Sequence, residues 1–402
     1  MKNRMAPALL ILVASFLLYG AFAYGIYTNV TSHVLGANDF YSRWVGARAL
    51  LLRHADPYTD AVTREIQMGM YGRLARPDED QVAFAYPLYA AFVAAPLVAL
   101  NYAMAQALWM AFLLCAVAVS ILSCARLFWP SVTPGLAAGG LIAGLIYYPS
   151  VRAIFLGQYA VFSFSCLVMA IYAVDRRQDW IGGILLAAAT VKPQPAILIV
   201  PAILIWAMHQ SRWQILVGAL AAGMALVASG MLFVPAWPLE FIQAIRRYAV
   251  YEPVGPPLQI AIELVLPRSL AAAISSVGAI VLGIAFFALV VRRAHQSWAE
   301  FSATLGLAAI LTTLIAGRVG TSDQVILLLP WMQWVGKWLA EGRRLWLALT
   351  GLALALPWAV FLVSLRGNYE QPTVALVLPG LALAVLLMQR RCARKELIGV
   401  AS

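Results

Sequence analysis

Apolar runs of about 15 to 25 residues recur along the whole of this 402-residue chain, and that feature decides most of what it can fold into. About 20 consecutive apolar residues make a helix that crosses the hydrocarbon of a bilayer, so the repetition predicts an all-α, polytopic integral membrane protein. Candidate segments are 8–28, 83–100, 105–124, 135–148, 159–174, 181–191, 195–208, 215–235, 269–291, 301–316, 325–338, 345–365 and 373–388. Mean hydropathy is +0.83. Only 11% of residues are charged, and these sit almost entirely in the short gaps between runs. The net charge of +11 follows from the excess of Lys and Arg that marks cytoplasmic loops, and no motif that reads RNA or DNA is present.

The gaps "DRRQDW", "HQSRW", "RRAHQSW" and "EGRR" and the tail "QRRCARKE" are therefore expected in the cytoplasm. Thirteen complete spans starting from the cytoplasm would leave the tail outside, so one segment before Gly157 is expected not to cross. The weakest are 83–100, which carries Pro87 and Pro96, and the short 135–148. Merging 181–208 into one kinked helix would also give an even count, but it would put "DRR" and "HQSRW" on opposite sides. Two short helices meeting at "VKPQP", and about 12 spans in all, satisfy the charge rule. The run at 6–27 is longer than a signal-peptide core, which predicts an uncleaved first helix. The expected organisation is a single domain: first span 8–28, external loop 29–82, remaining spans 83–388 and cytoplasmic tail 389–402. No internal repeat appears. Cys115 and Cys124 would lie roughly 13 Å apart on one helix, too far to bridge, and no metal-ligand spacing links the four Cys and four His.

Residues 36–62, "GANDFYSRWVGARALLLRHADPYTDAV", are densely polar for such a chain. Phe40, Trp44, Ala47 and Leu51 recur at i, i+4, i+7 and i+11, which predicts an amphipathic helix lying in the outer interface. Asp39 stands where an N-cap would, and "ADPYTD" ends the helix with a proline turn. Asp39 then either caps the helix or, as an acid held at the membrane surface, serves as a base on an acceptor hydroxyl.

The stretches "NDFYSRWVGARALLLRHADPYTD", "FAYPLYAAFVAAPL", "FLGQYAVFSF", "GGILLAAATVKPQPAIL" and "GTSDQVILLLP" resemble, in this order, glycosyltransferase family 87. The resemblance runs from about residue 35 to 335. It implies a membrane enzyme of the GT-C fold that uses a polyprenyl-phosphate sugar as donor, with Asp39 in the first external loop as catalytic base. Lys192 is costly inside an apolar hairpin, about 2.5–3.5 kcal/mol if deep in the bilayer. Pro193 and Pro195 break the helix beside it and free backbone groups that need a protein-lined or wet pocket. The family's Lys-Pro motif makes Lys192 a counter-charge for the donor phosphate, the other reading being a lysine that snorkels from a hairpin tip. Gln158, after a glycine at a span start, is a candidate sugar contact or a helix-start amide. Arg152 is placed to assist the phosphate or to snorkel. Arg43 and Gln194 complete the candidate substrate contacts within "NDFYSRW" and "VKPQP".

In "GRVGTSDQ", Arg318, Asp323 and Gln324 lie at the outer end of a helix, with Arg318 and Gln324 as further candidate substrate contacts. Family members often carry His or a Tyr-Asp pair here. This chain has no His in this stretch, and Asp323 matches the Asp variant as a second catalytic candidate, though a helix N-cap would look the same. No Asp-x-Asp pair stands in the first loop, and "DED" at 78–80 reads as an acidic flank, so no metal is expected, and no cofactor beyond the lipid-linked donor. The expected partners are membrane lipids, the polyprenyl-phosphate sugar and a glycan or glycolipid acceptor. The expected location is the plasma (inner) membrane with the site on the extracytoplasmic face. The competing readings are a flippase or transporter of lipid-linked sugar, which the absence of repeats disfavours, and a structural subunit, which leaves Lys192 and the proline hairpin unexplained.

Overall fold

A computed structural model describes the backbone of residues 5–33, 38–251, 254–317, 320–365 and 370–400, with side chains described between 13 and 391. Arg318 lies outside the described residues. The chain is helical throughout, with no strand among the described residues. Among the described residues, seven helices are long and apolar enough to cross a membrane: Val13–Thr31, Tyr102–Phe128, Trp213–Met231, Arg268–Arg293, Trp298–Ile315, Arg344–Ser364 and Pro372–Arg391. The pair Pro134–Ile146 and Tyr148–Leu156 makes an eighth only if its 58° bend is counted inside one span. Large apolar side chains point outward from these helices, Phe16 at 74% exposure, Leu220 at 63% and Val363 at 88%. Water would penalise such a surface, whereas lipid does not.

Four further apolar helices, Leu88–Leu97, Tyr159–Asp175, Asp179–Val191 and Pro193–His209, are each shorter than a full crossing. The expectation of about 12 spans therefore meets seven full-length helices and a set of short ones. Proline explains two of the breaks. Leu88–Leu97 mixes 3₁₀ and α turns around Pro96, and the helix from Asp179 ends at Val191 before restarting at Pro193, with Lys192 extended at φ −120°, ψ 102°.

The chain forms two compact units. One comprises 1–116, 154–158 and 225–253, and the other 117–153, 159–224 and 254–402.

In the first unit, helix Asp39–Arg53 departs from the expected one-sided burial. Phe40, Trp44 and Ala47 are buried, but so are Ser42, Arg43, Val45, Gly46, Ala49 and Leu50. The segment after residue 83 covers its second side. The Trp44 indole donates to the Leu97 carbonyl at 3.0 Å, and Arg48 donates to the carbonyls of Val98 and Leu100. Helix Asp39–Arg53 is thus packed against protein on more than its apolar stripe, because the apolar run at 83–100 lies across it as a short broken helix.

In the second unit, the gaps at 175–180 and 209–213 meet. Arg212 donates to both oxygens of Asp179 and to the Val174 carbonyl, with both charged side chains nearly buried. Residues 181–208 therefore leave and return to the same end as two short helices. The adjoining crossing of Asp179–Ala188 with Trp213–Met231 depends on Gly183, where a Cβ would sit 2.7 Å from the Ala219 nitrogen.

Candidate active site

Two polar centres stand out, one in each unit. In the first, Asn38 and not Asp39 caps the helix: at φ −100°, ψ −175°, its Oδ1 accepts from the Phe40 N–H at 3.0 Å. Asn38 is itself fixed, accepting from the Tyr102 hydroxyl at 2.6 Å and donating to the Phe155 carbonyl at 2.7 Å. The expected cap is thus displaced by one residue, and the Asp39 carboxylate is released from capping the helix. It stands in the first turn, where the helix dipole favours an anion.

Asp39 Oδ2 accepts a hydrogen bond from Gln158 Nε2, and Gln158 Oε1 accepts from Arg43 Nη2 at 3.2 Å. Only one orientation of the Gln158 amide serves both, since Arg43 can only donate and the ionised carboxylate can only accept. Arg43, 5% exposed, also donates to the Asp39 carbonyl and to the Tyr86 hydroxyl, and its guanidinium lies 4.5 Å from the centre of the Tyr86 ring. Arg43 therefore holds Gln158 and the start of the helix. Expected as a substrate contact, it has its donors turned to protein. Asp39 Oδ1 has no hydrogen-bond partner among the described residues, and Asp39 keeps part of its surface accessible.

Gln158 reaches this position because of the glycine before it. Gly157 has φ +66°, and a Cβ there would meet Phe40 Cβ at 2.6 Å and Trp109 Cδ1 at 3.2 Å. Phe40 and Trp109 stack at 5.1 Å, and the Trp109 indole donates to the Gly157 carbonyl at 2.9 Å. "FLGQ" is thus a turn that only glycine fills without strain.

The second centre forms at the helix break. The Lys192 backbone N–H donates to the Ser163 hydroxyl at 3.2 Å, and its ammonium forms an ion pair with Asp323 Oδ1, both side chains 7% exposed. Asp323 Oδ2 accepts from the Gly320 N–H at 3.2 Å, at the start of the 3₁₀ turn Thr321–Leu327. Lys192 is thus an internally neutralised cation, not a snorkelling one, and Asp323 does cap its turn. Gln194 Oε1 is buried and accepts no hydrogen bond among the described residues. Gln324, 1% exposed, donates to the Ala375 carbonyl at 2.7 Å, which fastens the segment Pro372–Leu376 rather than presenting the amide to a substrate.

Arg152 is joined by residues that sequence reasoning passed over. Its Nη2 lies 2.9 Å from Glu370 Oε2, which also accepts from the Thr321 hydroxyl at 2.8 Å, while Oε1 accepts from the Tyr148 hydroxyl at 2.7 Å. Tyr148 and Arg152 are four residues apart on helix Tyr148–Leu156 and share a face. Glu370 had one signal in the sequence, as the only acid in the gap "RGNYEQ". Tyr86 lay within the family-like stretch "FAYPLY", where nothing marked it as a partner of Arg43.

"DED" at 78–80 is engaged in its own loop. Glu79 pairs with Arg73 and Arg76, and Asp80 accepts from the Val82 N–H at 2.9 Å. The hydrogen bond from Arg73, then that from the Arg76 backbone, hold the Glu79 carboxyl down at about 2. No group of three or more His, Cys, Asp or Glu comes together among the described residues. In the first unit, burial and then a hydrogen bond with Asp56 push the Glu240 carboxyl up to about 7. The second unit also holds an apolar cavity of about 340 Å³, lined by Gly140, Gly144, Tyr147, Trp331, Leu347 and Leu354 among others.

Outward-facing apolar helices enclosing buried carboxylates, amides and cations define a multi-pass membrane protein with polar chemistry inside it. The chain belongs to glycosyltransferase family 87, whose family model matches residues 84–316, more than half of its length. It is accordingly a membrane glycosyltransferase, as the motif order suggests. Gln158, Arg152, Lys192 and Gln194 fall within the matched region, while Asp39, Asp323 and Glu370 lie outside it. No curated protein matches the chain.

Proposed function

We propose that this enzyme transfers a hexose-type sugar from a polyprenyl-phosphate donor to a glycan or glycolipid acceptor outside the cytoplasm, with Asp39 as the base. The observation that carries this reading is the state of the Asp39 carboxylate, one oxygen held by Gln158 and the other open. An alcohol is too weak an acid to ionise at neutral pH, so an acceptor hydroxyl needs a positioned base. The acceptor O–H gives its proton to Asp39 Oδ1 as its oxygen bonds to the anomeric carbon. The bond from that carbon to the phosphate oxygen breaks, the electron pair leaves with the polyprenyl phosphate, and Asp39 later returns the proton to water.

The leaving phosphate needs positive charge, and the second unit by itself holds two cations of a kind that suits a phosphate, Lys192 and Arg152. The apolar cavity beside Trp331 and the outward-facing helix surfaces suit a lipid-borne substrate. The rest of the reading follows: a GT-C arrangement acting as one domain, about 12 apolar segments counting the short helices, an inner-membrane location and an extracytoplasmic site. The donor is the only co-substrate, with no metal. The test is incubation of the purified protein with a panel of radiolabelled polyprenyl-phosphate sugars and membrane extract. Sugar transfer that disappears in Asp39→Asn is expected, and transfer from sugar nucleotides alone would overturn the donor assignment.

A further inference from the structure

The second unit holds an oxyanion seat already filled by the protein's own carboxylate. Three donors converge on Glu370: the Tyr148 hydroxyl at 2.7 Å, the Thr321 hydroxyl at 2.8 Å and Arg152 Nη2 at 2.9 Å. The Tyr148 ring is held edge-on to Trp358 at 5.0 Å, and Trp358 is anchored to the Ile146 carbonyl at 3.0 Å, so the hydroxyl's aim comes from packing. Thr321 stands two residues before Asp323, the partner of Lys192. One short segment therefore joins this seat to the buried Lys192–Asp323 pair.

We propose that Tyr148, Arg152 and Thr321 form the seat for a phosphoryl group, and that Glu370 is an internal stand-in that the incoming phosphate displaces. This rests on the reading of the donor as a lipid phosphate. Three features favour a replaceable occupant over a fixed clasp. The first is unspent capacity, since Arg152 Nε is buried and makes no hydrogen bond among the described residues. A carboxylate offers two oxygens, whereas a phosphate offers three or four, so the larger anion can engage the donor that Glu370 leaves unused. Second, the pair is reachable: the Arg152 side chain is 28% exposed and that of Glu370 15%. Third, Glu370 lies outside any helix, just before the turn Pro372–Leu376, so its departure breaks no helical hydrogen bond. A planar guanidinium with two hydroxyls beside it also matches the geometry of a tetrahedral oxyanion. The resident carboxylate keeps the cation neutral while the seat is empty of ligand, which lowers the cost of holding it in an apolar protein.

The test is binding rather than turnover. The full-length protein in phospholipid vesicles is titrated with a sugar-free polyprenyl phosphate, with the matching polyprenol, and with inorganic phosphate. Glu370→Gln removes the competing charge while keeping size and an acceptor, so affinity for the polyprenyl phosphate should rise about tenfold. Arg152→Gln should weaken it about tenfold or more, and Tyr148→Phe a few-fold. Polyprenol binding should not change in any variant. Thermal stability of each variant without ligand shows whether it is folded, and Tyr148→Phe, which loses only a hydroxyl, keeps the test valid if Arg152→Gln is not.

A response to inorganic phosphate that follows the same order of variants would support a phosphoryl seat and add free phosphate as an occupant. Unchanged or weakened phosphate affinity in Glu370→Gln would overturn the proposal and leave Glu370 a structural clasp. Transfer activity is read separately. Phosphate binding with this pattern but no sugar transfer overturns the enzyme's donor reading and leaves the seat standing. Transfer with variant-independent affinity overturns the seat alone.

Discussion

Removing one partner of the Lys192–Asp323 pair should cost far more than removing both. Each side chain is 7% exposed, and Lys192 stands at a helix break between Val191 and Pro193. Lys192→Met leaves the Asp323 carboxylate with a single backbone donor, the Gly320 N–H at 3.2 Å. An uncompensated buried charge typically costs about 3–5 kcal/mol. The retained N–H offsets part of this, which places the expected loss near ~3 kcal/mol. Asp323→Asn leaves the ammonium facing a neutral amide and should cost a similar ~3 kcal/mol. Lys192→Met/Asp323→Asn contains no charge to strand, so it should return to within ~1–2 kcal/mol of the parent, a coupling of several kcal/mol that greatly exceeds the ~0.5 kcal/mol scatter of independent sites. The assay is unfolding of the four purified proteins in one detergent, read by a thiol probe and by loss of monodispersity. Additive single effects would refute the reasoning, because they would mean that the two charges are solvated apart rather than together. The double variant also separates roles: restored stability without restored donor binding would assign Lys192 to the phosphate as well as to the fold.

Three further outcomes follow. Asp39→Asn should leave unfolding unchanged, because Asn38 provides the cap and Asn can still accept from Gln158, while turnover falls by about 10²–10⁴; near parental transfer would move the base elsewhere. Gly157→Ala should cost about 2 kcal/mol or more, from the positive φ plus the contact with Phe40, and should lower turnover with it by shifting Gln158, as measured by unfolding and transfer on the same preparation. The Glu240 carboxyl is raised in the fold to about 7 from the usual carboxylate range, so the folded state binds more protons in between. Its stabilising share is fully present below the unfolded value and is lost as pH rises through about 7. Glu240→Gln should flatten that decline in a pH series of melting curves, and an unchanged slope would refute the assignment.

Several elements were legible without coordinates because they depend on local chemistry. The apolar runs had to become helices, and Pro193 and Pro195 had to interrupt one of them at Lys192. The motif order pointed to the family whose model matches residues 84–316. The outer limits of helix Asp39–Arg53 were equally local, set by the polar residues before it and the proline turn after it.

Its environment was not. A one-sided apolar stripe predicted one-sided burial, yet the segment after residue 83 lies over the other side and buries Arg43, which periodicity along one segment cannot reveal. The cap fell to Asn38 because Tyr102 and Phe155, distant in sequence, fix that side chain. Lys192 was recognised as expensive and Asp323 as a second catalytic candidate, but only the tertiary fold joins them, 131 positions apart in the chain. Glu370 was marked only as the one acid in its gap until Tyr148, Arg152 and Thr321 closed around it. The sequence by itself determined which groups are too costly to leave alone in a membrane, since desolvation depends on residue type and on neighbours along one helix. Which group neutralises which, and which carboxylate keeps an oxygen open, only the tertiary structure decided, because ion pairs and hydrogen bonds are settled over a few ångströms between segments far apart in the chain.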